Sequence, residues 1–350
     1  MMNHRTHFIQ TFALLLVCAL LPGCWFSSDQ EVVIYAALDR EFSEPILNLY
    51  EEESGIDVLA SYDIESTKSV GLTSQILLER DRPRCDLFWN NEILNTLRLE
   101  QAGVLDVYRS PLAGSYPQQF VSPDGHWHGF AARVRVLIVN TELVAEADRP
   151  DSIMDLIDPK WRGQVGIAKP LAGTTATHAA CLFAAWGDDE AKAFFTKLKA
   201  NAKVVSGNKQ VAQDVAAGKL AFGLTDTDDA FIVKYVNRKG TDRDQVEIIF
   251  PDQREDQMGA LFIPNTLAII RGGPNPEHAQ RLVNYLLQAR VEELLATSDS
   301  AQFPLSSETK FTSPVAPEDP LKRMEIDFAD ALEKWDFAME FLTEEFAAAE

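Results

Sequence analysis

Within residues 219–230 the chain sets three carboxylates, Asp226, Asp228 and Asp229, directly after the short apolar run 220–224. Carboxylates this close repel one another unless a cation or a set of donors offsets them. The apolar run reads as a buried strand, and ligands of open α/β sheets sit beyond the carboxyl ends of strands. Further loops of the same kind are 36–39 with Asp39, 64–68 with Glu65, and 90–92 with Asn91 and Glu92. A fourth, 169–175, places Gly173, Thr174 and Thr175 at the start of an alanine-rich stretch. Free backbone N–H groups at such a helix start favour an anion, although a plain helix cap would use the same residues. Carboxylate oxygens suit hard cations. The set Asp39, Glu65, Glu92, Asp226, Asp228 and Asp229 therefore fits a carboxylate-bridged cation whose shell an anion completes, and equally a polar ligand held by hydrogen bonds. A solvated acidic turn is the plain alternative for the cluster alone.

No G-x-S-x-G elbow, H-E-x-x-H pair, Walker loop, G-x-G-x-x-G fingerprint or C-x-x-C pair occurs, so no catalytic residue is nominated. His126 and His128 flank Trp127 and could share one face of a strand, but a metal site needs further ligands from elsewhere.

Positioning these loops requires an α/β framework. Apolar strands at 32–35, 56–59 and 86–89 alternate with helical stretches at 41–53, 67–80 and up to 102, the pattern of a parallel sheet covered on both faces. From Trp127 the pattern changes. A long β-branched run at 133–140 and a second at 261–270 predict two crossings between two lobes, since a lobe entered once must be left once. Between them lie a strand at 164–168 and helices at 174–186, 191–200 and 210–217. A helix at 276–290 follows. Residues 324–346 space Phe328, Leu332, Trp335, Met339, Leu342 and Phe346 three or four apart opposite an acidic face, predicting an amphipathic brace against a lobe.

The 350 residues exceed what one core usually holds. A net charge of −21 argues against nucleic acid or an anionic bilayer as partner, both of which reward basic patches. Residues 1–23, with His4, Arg5 and His7 before the apolar run 12–21, read as a secretory signal peptide that contains Cys18. The segment resembles a bacterial lipoprotein signal, in which Cys24 becomes the lipidated first mature residue and 24–30 a tether. Of the two Cys in the body, Cys85 and Cys181 sit among apolar neighbours and read as buried free thiols.

Val32–Tyr35, Ser54–Val58, Cys85–Trp89, Trp161–Gly163, Gln164–Ile167 and the helix at 276–287 stand in the order of the extracellular solute-binding proteins of ABC importers. The chain is similar to that family, and within it to the periplasmic ferric-iron-binding proteins, over about residues 31–305. The resemblance implies a two-lobe periplasmic-binding-protein fold of type II, with 31–130 and 262–305 as lobe 1 and 131–261 as lobe 2. Residues 306–350 would form a C-terminal segment outside both lobes. It implies a monomer that delivers its ligand to permease and ATPase subunits from a periplasmic or outward-facing lipid anchor. Carried over by position, the family's histidine ligand falls at Asp39, its glutamate at Asn91 beside Glu92, and its paired tyrosines at Asp228 and Asp229. Its anion loop matches Gly173, Thr174 and Thr175, an asparagine near the anion matches Asn208, and an arginine at the lobe crossing matches Arg133. The expected ligand is a hard metal ion, ferric by resemblance, on Asp39, Glu92, Asp228 and Asp229, with a synergistic anion. An anionic or zwitterionic solute such as an organophosphonate, on Lys169, Arg133 and the Thr174 helix start, is the alternative. An exported hydrolase using paired carboxylates around a cleft water is a third reading.

Overall fold

The computed structural model describes residues 30–63, 70–236 and 245–347. The signal-peptide and Cys24 readings, and Glu65, lie outside the described residues. Residues Glu31–Glu350 form one compact unit.

The first half of the chain follows the alternation expected of it. β1 (Glu31–Ala36), α1 (Arg40–Ser54), β2 (Asp57–Tyr62), α2 (Val70–Leu78), β3 (Leu87–Asn90) and α3 (Leu94–Gln101) succeed one another, and β2, β1 and β3 pair in parallel. Gly55 stops α1 in a left-handed conformation (φ 69°), its N–H returning to the Glu51 carbonyl.

β4 (His128–Asn140) is longer than expected and buried throughout its 13 residues. Apolar β-branched side chains on both faces let it run through the middle of the protein. It is followed by β5 (Val165–Ala168), α4 (Gly173–Trp186), α5 (Asp188–Asn201), β6 (Ala202–Val205), α6 (Asn208–Ala216), β7 (Phe222–Asp226) and α7 (Thr227–Phe231). β8 (Val246–Ile249), β9 (Phe262–Ile269), α8 (Pro276–Leu286), α9 (Ala289–Thr297) and α10 (Phe328–Phe346) complete the order. The strands lie as β2-β1-β3-β9-β4-β7-β5-β6, with β8 on β4. β4 changes partner along its length: residues 128–134 pair with β9, whereas 135–140 pair with β7 and β8. One strand thus belongs to both halves of the sheet, as a crossing must.

Sequence periodicity overlooked β6 and β8, both only four residues long. It also ran α8 on to residue 290 and missed α9, which Leu287 and Gln288 separate from it. The acidic turn after β7 is helical, because Asp226 takes the extended cap position (φ −101°, ψ 156°) and α7 begins on the next residue.

α10 lays Trp335, Ala338, Leu342 and Phe346 into the core. It packs on α4 and α5 and also on α3, so it braces elements of both sheet halves rather than one. Phe183 of α4 meets Phe337 and Phe341 edge-on at 6.1 and 6.0 Å, and the Arg98 guanidinium of α3 lies 5.2 Å from the Trp335 ring. Cys85 and Cys181 are buried free thiols, and burial raises the pKa of both.

Candidate functional site

The carboxyl ends of β5 and β7, the starts of α4 and α6, and the middle of β4 line an open cleft. Its walls bring together Asn91, Arg133, Gly173, Thr174, Thr175, Asn208, Asp226, Asp228 and Asp229, nine of the residues nominated from sequence. Lys169, Ser206 and Gly207 complete the polar lining.

Two helices point their first turns into this space. Gly173 opens α4 at φ 56°, a left-handed conformation in which glycine meets no steric penalty. Asn208 opens α6 behind the extended cap Gly207. Neither cap side chain binds the helix start. The first N–H groups of a helix have no partner within it, so both termini present donors and positive partial charge to the cleft.

Asp226 ties these helices to the sheet. Its Oδ1 accepts from Arg135 Nη1 at 2.6 Å, and its Oδ2 accepts from Thr174 Oγ1 at 2.5 Å and Asn208 Nδ2 at 2.9 Å. Asn208 Nδ2 also donates to Thr174 Oγ1 (2.9 Å), and Asn208 Oδ1 accepts from Thr175 Oγ1 (3.0 Å). Burial alone would raise the Asp226 pKa. Arg135 first, then Arg133 and the Thr174 hydroxyl, outweigh it and hold the carboxyl below its ordinary value. Both oxygens are therefore committed to the scaffold.

Asp228 and Asp229 stand on α7. Together with Asp226 they offer oxygen atoms that all lie within 4.8 Å of one another. Asp228 Oδ1 accepts the Asp229 N–H at 3.0 Å, and its Oδ2 lies 3.4 Å from Arg133 Nη2. Arg133 is 2% exposed, and its Nε and Nη2 make no hydrogen bond within the protein. Burial disfavours its charge. Asp228, Asp226, Asp39 and Asp229 together more than compensate, and its pKa stands above the ordinary value. The same field places Asp39 within electrostatic reach of the cleft, although it is not among the lining residues. Asp39 precedes α1 at its cap position, but its side chain does not cap the helix. Nearby, Lys209 of α6 reaches Glu41 of α1 at 3.3 Å and also feels Asp39 and Asp229.

Glu92 is placed elsewhere, which corrects its nomination as a metal ligand. It is fully buried beneath α3, where its carboxylate accepts from Leu94 N (2.7 Å), Asn95 N (3.1 Å), Asn90 Nδ2 (3.1 Å) and Thr177 Oγ1 (2.7 Å). A helix start with unpaired N–H groups has taken the acid as its cap. His126 and His128 also lie away from the cleft lining. His128 Nε2 accepts from Ser110 N at 3.2 Å, and burial lowers its pKa to about 4. His126 Nδ1 approaches Glu100 at 3.4 Å.

Arg135 was overlooked as part of the site. The signal was present, because two arginines in an otherwise apolar strand demand buried partners. Ser206 and Lys209 carried no comparable signal, since a polar residue before or within an amphipathic helix is unremarkable.

Residues 90–332, more than half of the chain, match the family model described as bacterial extracellular solute-binding protein. The chain belongs to this family. It is 22% identical over 310 residues to the major ferric iron-binding protein of Neisseria meningitidis, covering 87% of this chain and 89% of that protein. It is 26% identical over 310 residues to iron uptake protein A2 of Synechocystis, covering 85% of each. Iron-bound HitA from Pseudomonas aeruginosa shares the fold with a TM-score of 0.80 at 22% identity, over 90% of this chain and 99% of that one. The solute-binding protein therefore has the α/β, two-lobe periplasmic-binding-protein architecture. No helix among its described residues is long and apolar enough to cross a membrane.

Proposed function

We propose that this solute-binding protein is the receptor of an ABC importer and captures ferric iron together with an accompanying anion. Lobes of residues 31–130 with 262–305, and of 131–261, close on the ligand, and the protein acts as a lipid-anchored monomer that docks on permease and ATPase subunits. The observation that carries the ligand is the pair of carboxylates Asp228 and Asp229, clustered beside the scaffold-bound Asp226 in the cleft lining. Hard oxygen donors suit a hard cation, and the relatives named above are a ferric iron-binding protein and an iron uptake protein. Asp228 and Asp229 serve as ligands, with Asp39 approaching from the start of α1. Asp226 stays with Arg135 and positions the helix starts. A bare cation would meet the Arg133 guanidinium beside Asp228. An anion arriving with the metal offsets that repulsion by accepting from Arg133 Nε and Nη2 and from the first turns of α4 and α6.

Calorimetric titration of demetallated protein with ferric citrate tests this reading, with manganese and calcium as competitors. We expect tight ferric binding that falls at least about 100-fold in Asp228→Ala, as loss of a charged ligand implies. An absence of binding heat with all three metals would sink the metal assignment.

A second reading rests on Arg133 Nε and Nη2, which make no hydrogen bond within the protein. A zwitterionic organophosphonate could set its oxyanion on Arg133, Lys169 and the helix starts, and its amine on Asp228 and Asp229. An aminoalkylphosphonate arm in the same titration separates the two, because only this reading gives binding without metal.

A further inference from the structure

β4 is broken at one point. Its register against β9 shifts between Phe130 and Ala132, and the residue in between, Ala131, has φ 39°. A residue with a Cβ rarely adopts this left-handed conformation, and glycine is its usual occupant. Ala131 is also buried, so its backbone groups need partners inside the protein. Its N–H donates to Glu292 Oε1 of α9 at 2.6 Å, and its carbonyl accepts from Asn265 Nδ2 of β9. Asn265 Nδ2 donates in addition to Gln302 Oε1 at 2.7 Å, beside Ala301, a second left-handed alanine at φ 45°. Glu292 further accepts from Leu305 N (3.0 Å) and Ser306 N (2.8 Å), and Ala132 exchanges two backbone hydrogen bonds with Phe303. Glu292, Asn265 and Gln302 are fully buried.

The position of this clamp matters. Two residues after Ala131 comes Arg133 in the cleft, and two residues after that Arg135 pairs with Asp226 in the other half of the sheet. Every partner of Ala131 lies on the β9 side, whereas Val134 N already donates to Thr227 Oγ1 at the start of α7. A kink required only for packing would be met without strain by glycine, and backbone strain held by over-determined surroundings gathers at moving or functional sites. Resting on the two-lobe reading, we propose that Ala131, gripped by Glu292 and Asn265, is the pivot of the β4 crossing. The grip sets the angle at which Arg133 faces the ligand, which makes Glu292 a positioning residue.

The test reads lobe opening without any ligand. In a Cys18→Ser, Cys24→Ser background, spin labels on exposed Glu52→Cys of α1 and Lys197→Cys of α5 report the distance distribution across the cleft. Ala131→Gly is expected to broaden that distribution about two-fold while the melting temperature holds or rises, because glycine relieves the strained φ and restores conformers. Glu292→Gln, which keeps one of the two acceptor oxygens, is expected to broaden it with a lower melting temperature. If the Ala131→Gly distribution superimposes on that of the wild type, the pivot is overturned, whatever Glu292→Gln does. Adding ferric citrate to the wild-type protein then tests the receptor reading separately. Lack of narrowing there, with broadening in Ala131→Gly, leaves the pivot standing and removes the ligand.

Discussion

Three aspartates within four residues serve different ends. Asp226 is the last residue of β7 and faces Arg135 across the strand pair, so its charge is consumed by the scaffold. Breaking a buried pair by removing one partner leaves an uncompensated charge, and Arg135→Met should cost about 3–5 kcal/mol in a denaturant titration. Asp228→Asn should cost less stability, because Asp226, Asp39 and Asp229 still offset the buried Arg133 charge, and should be felt in ligand affinity. A pH effect belongs at this scale too. His128 is buried with its pKa lowered to about 4, so the folded state holds it neutral where the unfolded chain, near 6.5, is protonated. The unfolded state then binds more protons, and stability falls as pH drops below about 6.5 and levels out only near 4. His128 alone accounts for about 3 kcal/mol over that window. Urea midpoints of wild type and His128→Gln at pH 7 and pH 4.5 should converge at the lower pH; an unchanged gap would remove His128 as the cause.

Among elements, the starts of α3, α4 and α6 decide what each nearby acid can do. α3 recruits Glu92 as its cap and removes it from the cleft. Glu92→Ala should therefore destabilise the protein by about 1–3 kcal/mol, the cost of buried donors left unpaired, with ligand affinity unchanged. A large affinity loss at constant stability would contradict this. α6 meets β7 at Gly223, where an added Cβ would lie 2.5 Å from a Val211 methyl and 2.7 Å from the Gly166 carbonyl. Gly223→Ala should cost roughly 1–3 kcal/mol by overpacking, read as a lower melting temperature. Periodicity placed the long strands and amphipathic helices well, because each carries several turns or pleats of signal. It missed β6 and β8, whose few residues contain no full pattern.

In the whole molecule, β4 carries the sheet from one half to the other, and α10 bridges the same halves through α3, α4 and α5. Trp335 is the largest side chain that α10 buries, and Trp335→Ala should cost about 3–5 kcal/mol. Differential scanning calorimetry checks this, and a loss below about 1 kcal/mol would show that α10 braces nothing.

The sequence by itself determined the α/β class, the order of the longer strands and helices and seven of the cleft residues, because strand ends and helix starts are local patterns, while Arg133 and Asn208 came only with the family resemblance. Tertiary structure alone decided which carboxylates keep their charge for a ligand. A carboxylate's availability depends on which buried donors reach it first, and Arg135, Thr174 and Asn208 reach Asp226 from positions far along the chain. No spacing in the sequence encodes that competition.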